Sequence, residues 1–196
     1  MSVTGTALGV ALAGTGLGAL LAAPLAFLGT PKLLPRPAAL LFRVLIVAIR
    51  SVPFLLYGLI FIRVSGPGAF TGVLTLAVCS IGLLSKRFTE AIEALDFRAY
   101  DALRAMGVSL LPRIRYAVLP QLAPALASAV LYRFDVNIRE ASVLGLVGAG
   151  GIGAPLIFAM NSYRWEEAGA ILAGLIVLVL IVEWISTKIR VKLARG

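Results

Sequence analysis

Several charged residues of this 196-residue sequence lie inside apolar stretches, and the arginines among them are the side chains best suited to chemistry. A guanidinium group keeps its charge and presents a planar fork of donors that matches phosphate-like oxyanions. A charge inside a stretch apolar enough to cross a membrane is costly, so it is treated first as a functional candidate. The side chains that we predict to line an anion path are Arg50, Ser51, Arg133, Asn137 and Arg139.

A structural role for some of these charges is an open alternative. Asp135 and Arg139 are spaced i,i+4, Arg133 and Glu140 are available to other partners, and residues 133–140 sum to zero charge. Such pairs neutralise one another inside a helix bundle. Neither role is preferred for Arg133 and Asp135, whereas Asn137 and Arg139 are preferred for the path because a glycine cluster follows them. Ser51 precedes Pro53, which is expected to expose a freed backbone carbonyl there.

Enzymatic chemistry is excluded by the residue types. The sequence has no histidine, and its one cysteine, Cys79, lies in an apolar stretch. No P-loop and no nucleophile–histidine pair can be assembled, and clusters of His and Cys that would bind a metal are absent. We therefore predict no catalytic residue, no metal site and no cofactor in this chain, and no ATP hydrolysis by it.

The composition indicates an all-α integral membrane protein. Hydrophobic residues make up 60% of the chain and charged residues 14%, whereas a soluble domain carries about 25% charged residues. A spanning helix needs about 20 mostly apolar residues. Glycines at GxxxG spacing, Gly5/Gly9 and Gly14/Gly18, favour close packing of the first span. Five spans are predicted, at about residues 3–28, 38–62, 69–84, 121–147 and 168–187.

The distribution of basic residues predicts the orientation. With the N-terminus outside, twelve of the 18 Lys and Arg residues fall on inner segments, and only Arg63 and Arg164 fall on outer ones. Cytoplasmic loops carry the excess of Lys and Arg in membrane proteins. We therefore predict a multi-pass protein with its C-terminus in the cytoplasm and lipids around it. Binding of nucleic acid is disfavoured, because the basic residues flank spans and form no basic–aromatic groove.

The one long polar segment, residues 85–120, has helical periodicity. Apolar residues recur every three or four positions from Phe88 to Met106, which predicts an amphipathic helix. Gly107 is a helix stop, Ser109 is a possible cap of a second short helix, and Leu119-Pro120 is predicted to end it. Such a unit either rests on lipid headgroups or docks a soluble partner, and composition does not separate the two.

The same segment resembles the EAA loop of ABC importer permeases. Asp101-Ala102-Leu103 stands at the family's Glu-Ala-Ala, and Gly107 and Leu119-Pro120 follow at the family's spacing. The resemblance implies a type I importer fold like that of methionine importer permeases, in one transmembrane domain over residues 1–196. It also implies that the loop forms coupling helices that sit in a cleft of an ATPase subunit. The implied ATPase-coupling residues are Asp101, Ala102, Met106, Gly107, Leu110, Leu119 and Pro120.

Two further stretches resemble the permeases of phosphonate importers: Arg50-Ser51-Val52-Pro53, and residues 137–147 running into the glycine cluster 148–153. That cluster also fits G-x-G-x-x-G, but the dinucleotide motif needs a preceding strand and an acidic residue about 20 positions later. A glycine-rich break at the outer end of a helix is the better interpretation. Phosphonate permeases often carry a further N-terminal span, which this sequence is expected to lack.

The resemblance implies partners and a location. It implies two ATPase subunits that hold ATP and Mg²⁺, a second permease subunit, identical or similar, and an extracytoplasmic solute-binding protein, all at the bacterial inner membrane. The implied substrate is a phosphonate, phosphite or phosphate, with methionine or another small solute as an alternative. A stand-alone secondary transporter is an alternative of another class, disfavoured because the sequence shows no internal repeat.

Overall fold

The computed structural model describes residues 3–33, 35–146 and 153–195. A π-helical turn at Ile114–Val118 joins the short helix Leu110–Arg113 to the long helix Leu119–Leu146. The predicted all-α class is confirmed. The helices, in chain order, are α1 (Val3–Leu28), α2 (Arg36–Ser51), α3 (Phe54–Ser65), α4 (Ala69–Glu93), α5 (Arg98–Ala105), α6 (Leu110–Arg113), α7 (Leu119–Leu146), α8 (Gly153–Asn161) and α9 (Trp165–Arg195).

Four helical stretches within the described residues are long and apolar enough to cross a membrane. The second predicted span differs from them, because it consists of α2 and α3, which meet at an angle of 83°. Counting this bent pair as one broken span gives the predicted total of five. The four others are Gly5–Leu28, Ala69–Glu93, Leu110–Gly145 and Trp165–Ile189.

Pro53 explains the break between α2 and α3. Proline has no N–H to donate, so the carbonyl of Ile49, four residues earlier, loses its helical partner. The hydroxyl of Tyr57 donates to that carbonyl at 3.0 Å. The expectation of an exposed free carbonyl beside Ser51 is therefore wrong. The Ser51 hydroxyl itself donates to the Val47 carbonyl at 2.8 Å.

Glycines bring α1 into direct contact with α4. A Cβ added to Gly14 would lie 2.7 Å from the Leu76 Cβ, and one added to Gly18 would lie 2.4 Å from the Ser80 Cβ. Because both partners advance together along the chain, α1 and α4 run parallel. The predicted packing role of the Gly14/Gly18 pair is confirmed. Gly9 makes no such contact within the chain, since a Cβ there would meet nothing within 4 Å.

The helix α7 packs antiparallel to this pair. Its early residues contact the late residues of α1 and α4 in one apolar cluster. The end of the bundle near this cluster carries Lys32, Arg36, Lys86 and Arg87 and is called the basic end here. The late residues of α7 join a second cluster. The cluster near the basic end contains Ala22, Ala26, Leu84, Phe88, Ile92, Tyr100, Ala117, Val118 and Leu122. The second contains Val10, Ala11, Leu76, Ile138, Ala141, Leu144 and Val182.

The polar segment after the third span is organised differently from the prediction. The helix α4 continues to Glu93, because Phe88 and Ile92 extend its buried face into the core. The continuous amphipathic helix expected from Phe88 is therefore wrong, since α5 begins only at Arg98. Leu119-Pro120 does not end the second short helix, which runs through the π-helical turn into α7. Pro120 leaves the Tyr116 carbonyl without an α-helical donor, and a wider turn accommodates that.

Candidate functional site

The α5–α6 loop, residues 94–118, is anchored to the bundle by aromatic side chains. Tyr100 is buried, and its ring meets the ring of Phe97 edge-on at 5.6 Å between centroids. The Arg113 guanidinium lies 5.1 Å from the Tyr100 ring centroid, and the Lys32 ammonium lies 4.4 Å from that of Phe97. These cation–π contacts connect α5 to α6 and to the segment that follows α1. The loop is therefore attached to the bundle rather than freely mobile on its surface.

Gly107 makes the bend between α5 and α6, as predicted. Its φ of 74° is left-handed, a conformation that costs a side-chain-bearing residue energy. The N–H of Gly107 donates to the Arg104 carbonyl at 3.0 Å, and the N–H of Val108 donates to the Leu103 carbonyl at 3.1 Å. This pair of bonds is a Schellman motif, which satisfies the last carbonyls of α5.

The outer surface of the loop carries several exposed apolar side chains beside its charged ones. Met106 is 69% exposed, Leu111 is 81% exposed and Tyr116 is 70% exposed. Met106 precedes the apolar stretch Leu110–Gly145, and Leu111 and Tyr116 lie at its beginning, so these exposed side chains form a candidate interaction surface at the basic end. The structure places every predicted coupling residue at an exposed position: Asp101, Ala102, Met106, Gly107, Leu110, Leu119 and Pro120. Sequence reasoning missed Leu111 and Tyr116, although their position beside Leu110 and Leu119 was a usable signal.

A polar network lies inside the bundle, half-way along α1 and α4. The Arg133 guanidinium binds both carboxylate oxygens of Glu140, at 3.3 and 2.8 Å. Its Nε donates to the Ser80 hydroxyl at 3.0 Å. The Asn137 amide donates to the same hydroxyl at 2.9 Å and to the Thr15 hydroxyl at 2.7 Å. The network therefore ties α1, α4 and α7 together.

Burial separates the predicted path residues into two groups. Arg133 and Asn137 are buried within this single chain, and their hydrogen bonds favour the structural role. Thr15 and Ser80 were missed by sequence reasoning, because small hydroxyl residues hardly change the hydropathy of a span. The remaining candidates, Arg50, Ser51 and Arg139, are accessible, so their assignment to a path stays a prediction.

Arg139 belongs to the predicted i,i+4 pair. Its guanidinium donates to Asp135 Oδ2 at 3.0 Å, with 46% of the arginine side chain exposed and 5% of the aspartate side chain. The second oxygen, Asp135 Oδ1, has no hydrogen-bond partner in the described parts of the chain. The aspartate of the pair is thus buried and the arginine is partly exposed, so the guanidinium is available to a further anion.

Arg43 and Arg50 lie on α2, facing α4. Arg43 Nε donates to the Gly29 carbonyl at 3.0 Å, and its guanidinium pairs with Glu93. The Arg50 side chain crosses α4 at Gly82, where an added Cβ would lie 2.8 Å from Arg50 Cγ. Arg43 is thus held by the chain itself, whereas the Arg50 head group remains at the surface.

Part of the predicted glycine break lies outside the described residues, namely positions 148–152, and α8 starts at Gly153. Metal ligation finds no support within residues 3–33, 35–146 and 153–195, where no three His, Cys, Asp or Glu side chains come together.

Comparison with known proteins places this architecture. The sequence matches the family described as "Binding-protein-dependent transport system inner membrane component" over residues 5–190. It is 38% identical to the phosphite transport system permease protein PtxC of Stutzerimonas stutzeri, over 93% of this chain and 67% of that protein. It is also 38% identical to the phosphate-import permease protein PhnE of Mycolicibacterium smegmatis, over 92% of this chain and 34% of that one. The chain thus spans about a third of the second relative's length.

More distant relatives agree with this placement. A probable D-methionine transport system permease protein, MetI of Vibrio cholerae, is 27% identical over 68% of this chain and 63% of its own. The MetNI methionine ABC transporter, solved in inward-facing conformations, has a chain that superposes with a TM-score of 0.83 at 20% identity, covering 97% of this chain and 94% of that one. The likeness to that structure confirms the predicted type I importer fold. The chain belongs to the family of binding-protein-dependent transport system inner membrane components.

Proposed function

We propose that this chain is the transmembrane subunit of an ABC importer for a phosphorus oxyanion, namely a phosphonate, phosphite or phosphate. The observation that carries the proposal is the 38% identity to a phosphite transport permease along 93% of the chain. The methionine permease relative is more distant, at 27% identity. Accessible arginines on α2 and α7, Arg50 and Arg139, support an anionic substrate, and with Ser51 they are our candidates for the path.

The proposed partners are those implied by the family to which the chain belongs. Two ATPase subunits, which hold ATP and Mg²⁺, dock on the α5–α6 loops of two permease subunits. An extracytoplasmic solute-binding protein delivers the substrate at the end opposite the basic end. We propose that the basic end faces the cytoplasm and the N-terminus lies outside, because Lys and Arg accumulate on the cytoplasmic side of membrane proteins. The membrane is the bacterial inner membrane.

We propose that force from the ATPase travels along the helix connections. The helix α6 continues through the π-helical turn into α7 without a break. A displacement of α6 by a docked ATPase therefore moves α7, and the network of Arg133, Asn137 and Ser80 carries that motion to α4 and α1. Closure of the ATPase dimer on ATP then switches the permease from inward-facing to outward-facing, and hydrolysis resets it.

The test is uptake into proteoliposomes that contain the chain with its ATPase and solute-binding protein. Labelled methylphosphonate, phosphite, phosphate and methionine are compared, with and without ATP. We expect ATP-dependent uptake of at least one phosphorus oxyanion and none of methionine. Uptake of methionine alone would contradict the proposed substrate class. Uptake that persists without the ATPase would indicate a secondary transporter instead.

A further inference from the structure

A line of charged side chains runs along α4 from its middle to the basic end. Three adjoining cavities border it: one of about 270 Å³ between α2 and α4, one of about 220 Å³ over α4 and one of about 540 Å³ between α4 and α7. Glu90 borders all three cavities, and Arg50 borders two. We call this surface the charged groove. Its charged residues are Arg43, Arg50, Lys86, Arg87, Glu90 and Glu93.

The groove has more positive than negative charge. Its four cations face two carboxylates, Glu90 and Glu93. Arg43 pairs with Glu93, and Lys86 approaches Glu90 at 3.5 Å. Among the residues that the structure describes, neither Arg50 nor Arg87 forms an ion pair. The groove therefore keeps two positive charges that its own carboxylates do not balance, which matches the charge of a phosphate-type anion.

Gly82 leaves the space that the Arg50 side chain occupies. A Cβ at residue 82 would lie 2.8 Å from Arg50 Cγ and 2.9 Å from Ile49 Cγ2, so only glycine lets this side chain cross α4 here. Gly82 is two residues from Ser80, in the polar network. With a rise of about 1.5 Å per residue, Gly82 lies about 16 Å from Glu93. The groove thus leads from the middle of the bundle to the basic end.

We propose that the charged groove is a binding site for a tetrahedral phosphorus oxyanion, with Arg50, Lys86 and Arg87 as its cationic ligands. Arginine offers its fork of donors to two oxygens, and lysine adds a mobile point charge. The Lys86 ammonium lies 3.5 Å from the Glu90 carboxylate. A bound anion competes for Lys86, and Glu90 repels that anion, which limits its residence. This deepens the proposed function by assigning the inner half of the path.

Phospholipid headgroups carry the same chemical group and are the alternative source. Headgroups lie at the membrane surface, whereas the Arg50 stem crosses α4 near the middle of the bundle. A site that includes Arg50 therefore favours a small anion from solution. Lys86 and Arg87, nearer the basic end, are the residues that a headgroup would reach.

The test is equilibrium binding of labelled inorganic phosphate, phosphite and methylphosphonate to the full chain in lipid nanodiscs, made once from zwitterionic and once from mixed anionic lipids. Arg50→Gln is compared with Arg36→Gln, which removes the same charge from the same helix outside the groove. Gly82→Ala displaces Arg50 without removing a charge. Recovery in the membrane and thermal stability show that each variant folds.

We expect Arg50→Gln to lower the affinity for whichever labelled oxyanion binds by about tenfold or more, since a charged hydrogen bond is lost. Gly82→Ala should also weaken binding, and Arg36→Gln should not.

Equal affinity in Arg50→Gln and the unaltered chain overturns the site. Competition by anionic lipid that abolishes phosphate binding assigns the groove to headgroups and also overturns it. Phosphite uptake unaffected by Arg50→Gln refutes this site and leaves the proposed function standing. Phosphate binding through Arg50 combined with uptake of methionine alone refutes the function instead.

Discussion

The polar network inside the bundle and the α5–α6 loop differ in how their side chains are satisfied. The network contains an arginine and a glutamate at mid-span, and the chain itself supplies their partners. The loop carries leucine, methionine and tyrosine side chains on an outer surface, and the chain leaves them exposed. The buried charges of the network are thus satisfied within the chain, whereas the exposed apolar side chains of the loop are available to a partner.

Loss of one charge from the network is the change with the largest expected effect. Glu140→Gln leaves the buried Arg133 guanidinium without its counter-charge, which costs about 3–5 kcal/mol of stability. Thermal unfolding of the purified chain measures the loss. The double variant Arg133→Met/Glu140→Leu removes both charges and should regain most of the stability. An unchanged midpoint in Glu140→Gln would show that the pair is not structural.

A charge on the loop should act on binding instead. Leu111→Asp places a carboxylate on the apolar surface, which should cost about 2 kcal/mol or more of ATPase binding if Leu111 is central to the contact. Its effect on stability should stay within about 0.5 kcal/mol, because the side chain is exposed. Co-purification of the ATPase and thermal unfolding separate the two quantities. Arg98→Ala, at a solvent-exposed position of α5, is the control and should retain the ATPase. Loss of stability with ATPase binding retained would mean that Leu111 acts in the fold rather than in docking.

A wider side chain at the α1–α4 contact should lower stability. Gly18→Val forces α1 away from Ser80, and overpacking of this kind costs about 1–3 kcal/mol. Gly9→Val is the matched control, because a Cβ at that position meets nothing within 4 Å. Thermal unfolding of the two variants makes the comparison. Equal midpoints would mean that the helices do not touch at Gly18.

The smallest expected effect concerns one hydrogen bond of the network. Thr15→Val removes the hydroxyl that accepts from Asn137, and interhelical hydrogen bonds in membranes contribute about 0.6 kcal/mol on average. The same unfolding assay, with replicates that resolve this difference, detects it. A loss as large as that of Glu140→Gln would show that Asn137, rather than the charge pair, is the main tie between the helices.

Much of the fold could be predicted, because apolar length, GxxxG spacing and proline act locally. The bend at Gly107 followed from a glycine after an amphipathic stretch. The start of α5 could not be predicted, because Phe88 and Ile92 continue the same periodicity whether they pack on headgroups or on the bundle. Their burial against Leu122 is a tertiary contact that periodicity does not contain.

The candidate sites were predictable to different degrees. The spacing of Asp135 and Arg139 is helical and local, so their pairing could be expected. The pairing of Arg133 with Glu140 spans seven residues, and the bonds of Asn137 to Thr15 and Ser80 join positions far apart in the sequence. Such partners depend on which helices meet, so the sequence alone could not separate path residues from network residues.

The most direct test of the account is ATP-driven uptake by the Gly107→Asp variant in proteoliposomes with its ATPase and solute-binding protein. Asp at a φ of 74° strains the bend and adds a charge to the docking surface, while the polar network of the bundle is untouched. We expect the variant to reach the membrane in normal amounts and to take up no phosphorus oxyanion above background. Uptake equal to that of the unaltered chain would contradict the claim that force enters through the α5–α6 loop.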